Sequence, residues 1–331
     1  MKLKAMKHGS TILSIIIIAL ILALVINPEI YMQSTLKGIL VWATAVLPAL
    51  FPFFFLTKIL TQLGLVEKLA MLFEPFTKKV FNAPGIASYV FLMSVISGYP
   101  VGAKLTSELY ENQAITRTQA VRMCSFCSTS GPLFIIGTVG IEAFGHKGMG
   151  VVMLIAHILG AVVNGIVFRF YKRKENETIN YTPTKAPIGN ILSNTIHDSV
   201  MSILIVGGYI ALFFMIIDVL TNFHILTIIA NLFSSILGVL GLPTQFSTGI
   251  TSGIIEVTRG CLELAQNCTD YKIATILATG LISWGGISIH FQAITFLKKC
   301  EIKTGFYMFQ KLCHCVFSML VCWLLLFVIP I

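Results

Sequence analysis

The sequence predicts an all-α integral membrane protein built from two inverted-topology repeats, each carrying a re-entrant hairpin and a discontinuous helix. Three observations predict it. The 331 residues are 56% hydrophobic and only 11% charged, where a soluble domain carries about 25% charged residues. Long apolar runs recur along the whole chain. And one stretch returns at a fixed offset: Ser97-Gly98 as Ser252-Gly253, Lys104 as Arg259, Glu108-Leu109 as Glu263-Leu264, Asn112 as Asn267, Ser128 as Ser283 and Gly131 as Gly286. A match this dense without gaps marks an internal duplication.

The elements follow in order. Thr11 to Ile26, preceded by Lys2, Lys4 and Lys7, reads as a retained spanning helix; no small-residue cleavage pattern follows it. It stands outside the repeats. Leu36 to Leu60 spans next, with Pro48 and Pro52 as kinks that neighbours can repair. Gln62 to Phe81 mixes charge with apolar residues and suits an interfacial helix. Pro84 to Ile96 is far shorter than the roughly 20 residues of a crossing. It turns at Ser97 to Gly102, where two glycines and a proline break the helix, and leaves as Ala103 to Glu111. The uncharged run between Arg122 and Glu142 is interrupted at Ser128 to Pro132 and predicts a discontinuous helix; Gly148 to Phe168 spans.

Arg169 to Pro187 is polar and separates the halves. Val200 to Leu220 spans, and Leu226 to Leu240 takes the interfacial place. Phe246 to Ile255 forms the second short arm, with its tip at Ser252 to Thr258. Ile273 to Leu297 spans with a break at Ser283 to Gly286, and Phe306 to Pro330 ends the chain. The expected layout is residues 1–35 as a first helix and outer loop, 36–171 and 188–331 as repeats, and 172–187 as a cytoplasmic linker. Seven crossings and two hairpins result. Three crossings per repeat force the copies to insert in opposite senses.

The net charge of +9 is accounted for by topology. With the N-terminus cytoplasmic and the C-terminus outside, all of the 23 Lys and Arg except Lys37, Lys147, Arg259 and Lys272 fall on the cytoplasmic side, as the positive-inside rule requires. No nucleic-acid partner is needed. The eight cysteines are scattered; Cys124-Ser-Phe-Cys127 lacks a second ligand pair and reads as small apolar packing. No cofactor or metal is expected. No Walker motif, nucleophile with its base, or facing metal-ligand set is visible, so an enzyme is not expected.

The four interruptions are the candidate site, because broken helices at membrane depth mark binding positions in transporters. Half-helix N-termini offer free N–H groups and positive dipole ends to a polar or anionic solute. The expected solute contacts are Ser97, Gly98, Tyr99, Pro100 and Lys104 at the first tip, and Ser128, Ser130 and Gly131 at the first break. From the second half come Ser252, Gly253, Arg259, Ser283, Trp284, Gly286, His290 and Gln292. Tyr99 and Trp284 offer rings for stacking on a planar ligand, the alternative being packing. Lys104 with Glu108, and Arg259 with Glu263, sit four apart and either neutralise each other or serve the solute. Glu256, at the second tip, either couples an ion or faces solvent; Glu108 and Glu263 are further coupling candidates. Asp218 is expected at the outer surface.

Ser97-Gly-Tyr-Pro-Val-Gly-Ala-Lys104, followed by Cys124-Ser-Phe-Cys-Ser-Thr-Ser-Gly-Pro-Leu-Phe-Ile-Ile-Gly137, resembles the YlbJ family of sporulation integral membrane proteins. That family carries the nucleoside-recognition Gate domain, found also in concentrative nucleoside transporters and in the membrane part of ferrous-iron transporters. The resemblance implies a membrane protein of endospore-forming bacteria that serves spore maturation, including the cortex. The interrupted helices, with no Walker motif, lead to secondary transport of a small polar or anionic solute across the cell membrane as the expected function, with the lipid bilayer and either further copies of the chain or other sporulation membrane proteins as expected partners. A non-transporting scaffold for that machinery is the alternative. Positions 99 to 101 are Tyr, Pro and Val, where nucleoside transporters carry Gln-Thr-Glu.

Overall fold

A computed structural model describes residues 2–63, 65–172 and 191–329. Most of the polar linker lies outside the described residues. Among those described there are helices and no strand. Helix α1 (Lys2–Ile26) comes first. Its apolar stretch is largely exposed, with Ala23 buried against Tyr31, Met215 and Val219, so it is peripheral. α2 (Pro28–Val41) runs through a π-helical turn, Trp42–Val46, into α3 (Leu47–Gln62), with Pro52 inside. α4 (Leu65–Phe81) is amphipathic and exposes Met71, Leu72, Phe73 and Phe76.

The first hairpin is α5 (Ala87–Ser97) and α6 (Val101–Glu111). Then come α7 (Arg117–Phe126), a non-helical break, a π-helix at Leu133–Ala143, and α8 (Lys147–Phe168). The second half repeats this order: α9 (Ile191–Asn222), α10 (Ile225–Val239), hairpin α11 (Ser247–Ile255) and α12 (Val257–Gln266), broken pair α13 (Tyr271–Trp284) and α14 (Gly286–Leu297), and α15 (Thr304–Leu325).

By length and apolarity, five stretches among the described residues can cross a bilayer: Pro28–Leu56, Lys147–Phe168, Thr195–Asn222, Tyr271–Leu297 and Thr304–Leu325. The two other expected crossings have shorter apolar helices, Ser14–Ile26 of α1 and Leu133–Ala143 beyond the first break. The outward faces carry Ile, Leu, Val and Phe, as lipid contact demands.

The copies pack reciprocally. α7 meets α15 while α13 meets α8, and α6 meets α14 while α12 meets the π-helix Leu133–Ala143. α8 lies against α15, its own counterpart. Such exchange of partners is what a two-fold relation produces, and inverted repeats place that axis in the membrane plane. Lipid offers no hydrophobic drive for association, so close packing of small residues carries it. A Cβ added at Gly160 of α8 would come within 2.1 Å of Ser318 Oγ on α15, and one at Gly38 of α2 within 2.8 Å of Ala211 Cα on α9.

Both broken helices begin on side-chain caps. Thr116 accepts from Gln119 N–H in a capping box, and Asp270 accepts from the N–H groups of Lys272 and Ile273. The first therefore starts before Arg122. That residue is buried and donates to the carbonyls of Asn82, Tyr171 and Lys172. These bonds join the ends of α4 and α8.

Candidate solute site

All four interruptions meet. Gly98 ends α5 at φ +73°, a left-handed conformation natural to glycine. A Cβ there would lie 2.6 Å from Gly131 N, so the first tip touches the first break. Gly285 and Gly286, at φ +89° and +77°, end α13 and start α14. A Cβ at Gly286 would lie 3.0 Å from Ile255 O, so the second tip touches the second break. The pairs are joined to each other. Tyr99 donates its hydroxyl to Ile282 O at 3.3 Å. His157 of α8 accepts from Ser130 N–H at 2.8 Å and bonds Ser283 Oγ at 2.8 Å through its other ring nitrogen.

The junction encloses a chamber of 60 Å³, bounded by Ser97, Gly98, Tyr99, Ser130, Gly131, Glu256, Val257, Thr258, Ser288 and Gln292, with α3, α9 and the π-helix behind them. Chamber and vestibule share Ser97, Tyr99 and Gln292; the vestibule measures 500 Å³ and is also lined by Lys58, Pro100, Val101, Lys104, Tyr209, Thr295 and Phe296. Lys104 and Thr295 are exposed, so it opens to the surface. The chamber has room for a few waters. The vestibule falls within the roughly 300–1,000 Å³ of small-molecule sites.

The vestibule is electropositive. Among the described residues, Lys58 and Lys104 line it and no carboxylate does. Their acids are loosely held: Lys58–Asp198 at 3.5 Å and Lys104–Glu108 at 3.9 Å, with every side chain partly exposed. The N-terminus of α6, at Pro100 and Val101, adds its positive dipole end.

Ser97, Gly98, Tyr99, Pro100, Lys104, Ser130, Gly131, Glu256 and Gln292 thus line the two spaces, and the other expected contacts do not. The second tip falls at Glu256, beyond Ser252 and Gly253, which lie inside α11. Ser252 donates to Glu263 at 2.7 Å, and Gly253 lies under Gly260 and Leu281. Arg259 turns away toward α9, where it binds Asp218, Glu263 at 2.8 Å and Phe214 O at 3.0 Å. Asp218 is therefore a partner of Arg259 and Ser34 at a largely buried contact, not a surface acid.

Glu256 is 2% exposed, which excludes the solvent-facing alternative. Its carboxylate caps α12, accepting from Arg259 N–H at 2.7 Å. Trp284 donates to Ile254 O at 3.0 Å and packs edge-on against His290, so neither stacks in the vestibule. His290 is buried with both ring nitrogens unpartnered. Ser128 bonds Tyr307, Ser283 bonds His157, and Gly286 closes on the second tip. Glu108 and Glu263 serve their ion pairs.

The sequence reading missed Lys311, His314, His157 and Tyr307. The charge bias places Lys311 with the cytoplasmic cations, yet it is 1% exposed, two turns into α15. It donates to Tyr99 Oη at 2.6 Å, Ser128 O at 2.8 Å and His314 Nδ1 at 3.2 Å. A readable signal existed: Tyr307, Lys311, His314 and Ser318 recur at helical spacing and are all buried.

The sequence profile of the Gate family, described as nucleoside recognition, matches residues 43–163, the segment that supplies the first tip and first break. The sporulation integral membrane protein YlbJ of Bacillus subtilis (strain 168) is 29% identical over 312 residues, 88% of this chain and 76% of its own. The chain is similar to Gate-domain membrane proteins over that segment and to YlbJ over most of its length. Its fold is that of the transporter CNTnw. The inward-facing, substrate-bound form aligns with a TM-score of 0.60 at 13% identity, covering 96% of this chain and 85% of that one. An outward-facing variant aligns at 0.61 and 14%, covering 86% and 76%. At such identity the likeness concerns fold alone. The fold of this chain is thus one that CNTnw adopts in both an inward-facing and an outward-facing form.

Proposed function

We propose that this protein is a secondary transporter of a small polar, preferably anionic, solute. The observation that carries the reading is the meeting of four helix interruptions around one chamber joined to an electropositive vestibule. A purely structural bundle gains nothing from breaking four helices at one point, since each break frees backbone groups that must be re-satisfied. The solute rests in the vestibule against Tyr99, Lys104 and Gln292, with Glu256 at the chamber as the remaining ion-coupling candidate. Alternating access comes from a hairpin moving against the other repeat.

In this reading the repeats are residues 36–171 and 188–331, the N-terminus is cytoplasmic and the C-terminus outside. The vestibule, opening near Lys58 at the far end of α3, then faces the cytoplasm. Kinship with YlbJ supports a role in spore formation, and we place it at the cortex stage. The protein acts without enzymatic chemistry.

The test is a thermal-shift screen of purified protein against nucleosides, amino acids, dicarboxylates and metal ions. A stabilising solute whose effect is lost in Ser97→Ala or Lys104→Met supports transport binding at this site. No stabilising solute in any class, with tip substitutions harmless to sporulation, supports a membrane scaffold instead.

A further inference from the structure

Lys311 poses a problem of charge. It is buried in the apolar helix α15, and among the described residues no carboxylate pairs with it. The groups around it are Tyr99, His157, His290, His314 and Cys315. A buried charge without a counterion is costly unless hydrogen bonds satisfy it.

The donor and acceptor pattern around it is the one an ammonium satisfies. His314 Nε2 faces the carbonyl of His157 at 3.0 Å, so Nε2 carries a hydrogen. In the neutral ring Nδ1 is then bare and accepts from Lys311 at 3.2 Å. The Tyr99 hydroxyl donates to Ile282 O, so it accepts from Lys311 at 2.6 Å. Ser128 O can only accept, at 2.8 Å. Three acceptors require three N–H bonds, which only an ammonium has. Moving one proton to His314 leaves the pair with the same single positive charge.

The acceptors come from different places: Tyr99 from the first tip, Ser128 from the break beyond α7, and His314 from α15 itself. Carbonyls beyond a helix C-terminus attract a cation. We propose that Lys311 is a tethered cation: its ammonium occupies a three-acceptor pocket between the first hairpin tip and the first broken helix, and docks the hairpin there without a free metal ion. The proposal rests on the transport reading only in taking the hairpin to undock. When Tyr99 leaves, the ammonium loses an acceptor inside the membrane, so the docked state is favoured.

The test is hydrogen exchange on the purified full-length protein, comparing peptides that cover residues 97–101 with peptides from α8 and α15. In the unsubstituted protein, tip exchange stays unchanged when sodium, potassium or lithium replaces choline at constant ionic strength. In Lys311→Met the tip exchanges at least about tenfold faster, the effect of losing a bond to a charged group, while α8 keeps its protection. Ethylammonium restores part of that protection in Lys311→Ala. Should the lysine variants fail to fold, Tyr99→Phe removes one acceptor and gives the same local rise. Tip protection that depends on sodium in the unsubstituted protein, or unchanged tip exchange in Lys311→Met or Tyr99→Phe, overturns the proposal. None of these readouts needs a solute, so a failed solute screen and a failed tether are separate results.

Discussion

Arg259 of the second hairpin is bound to Asp218 of α9, and Asp198, twenty residues earlier on the same helix, is bound to Lys58 beside the vestibule. Twenty residues of helix span about 30 Å. The two ion pairs therefore lie near opposite ends of α9. The Arg259 pair is tight, with side chains 18% and 20% exposed, while the Lys58 pair is looser and more solvated. A tight ion pair ties α12 to α9 at the Arg259 end, and the vestibule opens at the Lys58 end.

Removing one partner from the tight pair leaves a largely buried charge. Asp218→Asn is expected to lower stability by about 1–3 kcal/mol, less than a fully buried pair because some solvent reaches it. Thermal melting in detergent measures this. The double variant Asp218→Asn with Arg259→Met should cost less than the sum of the single variants. Full additivity would mean the pair does not hold α12 to α9.

Two glycines separate packing from propensity. A Cβ at Gly102 would fall 1.6 Å from Cys127 O, whereas nothing lies within 4 Å of one at Gly208. Gly102→Ala must push the first hairpin off the first break and should cost several kcal/mol. Gly208→Ala, in mid-α9, should be neutral or stabilise by up to about 1 kcal/mol. Equal melting temperatures for the two variants would contradict the contact between α6 and the break.

Lys104 and Glu108 are half exposed and 3.9 Å apart. Such pairs contribute roughly 0–1 kcal/mol, so Lys104→Met should leave the melting temperature nearly unchanged. Flux of the solute in reconstituted vesicles should nevertheless fall, because the vestibule loses one of its two lysines. Normal flux at equal protein level would remove Lys104 from the solute path.

Glu256 has a structural and a chemical role that substitution can divide. Glu256→Gln keeps an oxygen to accept from Arg259 N–H, so folding should survive with a loss below about 1 kcal/mol. Glu256→Ala loses the cap and should cost about 1 kcal/mol or more. Both should lose any ion dependence of transport. Retained ion dependence in a folded Glu256→Gln protein would take coupling away from this residue.

The sequence showed the first hairpin, the first break and the second break because glycine and proline write these into the chain: Gly98 and Pro100, Gly131 and Pro132, Gly285 and Gly286. The second tip is legible only as a range, Ser252 to Thr258, because the turn itself contains neither residue. It is made by Glu256, whose own carboxylate caps the next helix, while Ser252 and Gly253 stay inside α11. Lys311, His314 and His157 stayed hidden for another reason. Lys311 and His314 share one face of α15 and His157 sits in α8, and what that face meets depends on how α8 and α15 pack. Counting Lys311 toward charge bias then gave it an explanation that burial removes. Arg259 and Asp218 lie 41 residues apart, and only the fold of the second half brings them together.

The central claim is that the first repeat's tip reaches the second repeat's break. The direct measurement replaces Tyr99 with a photo-crosslinking phenylalanine analogue, irradiates the protein in native membranes and sequences the attached peptide. The expected product joins position 99 to the segment around Ile282 to Gly285, since Tyr99 Cζ lies 3.6 Å from a Cβ built at Gly285 and its hydroxyl bonds Ile282 O. Crosslinks confined to lipid, to solvent-exposed loops or to the first half would contradict it.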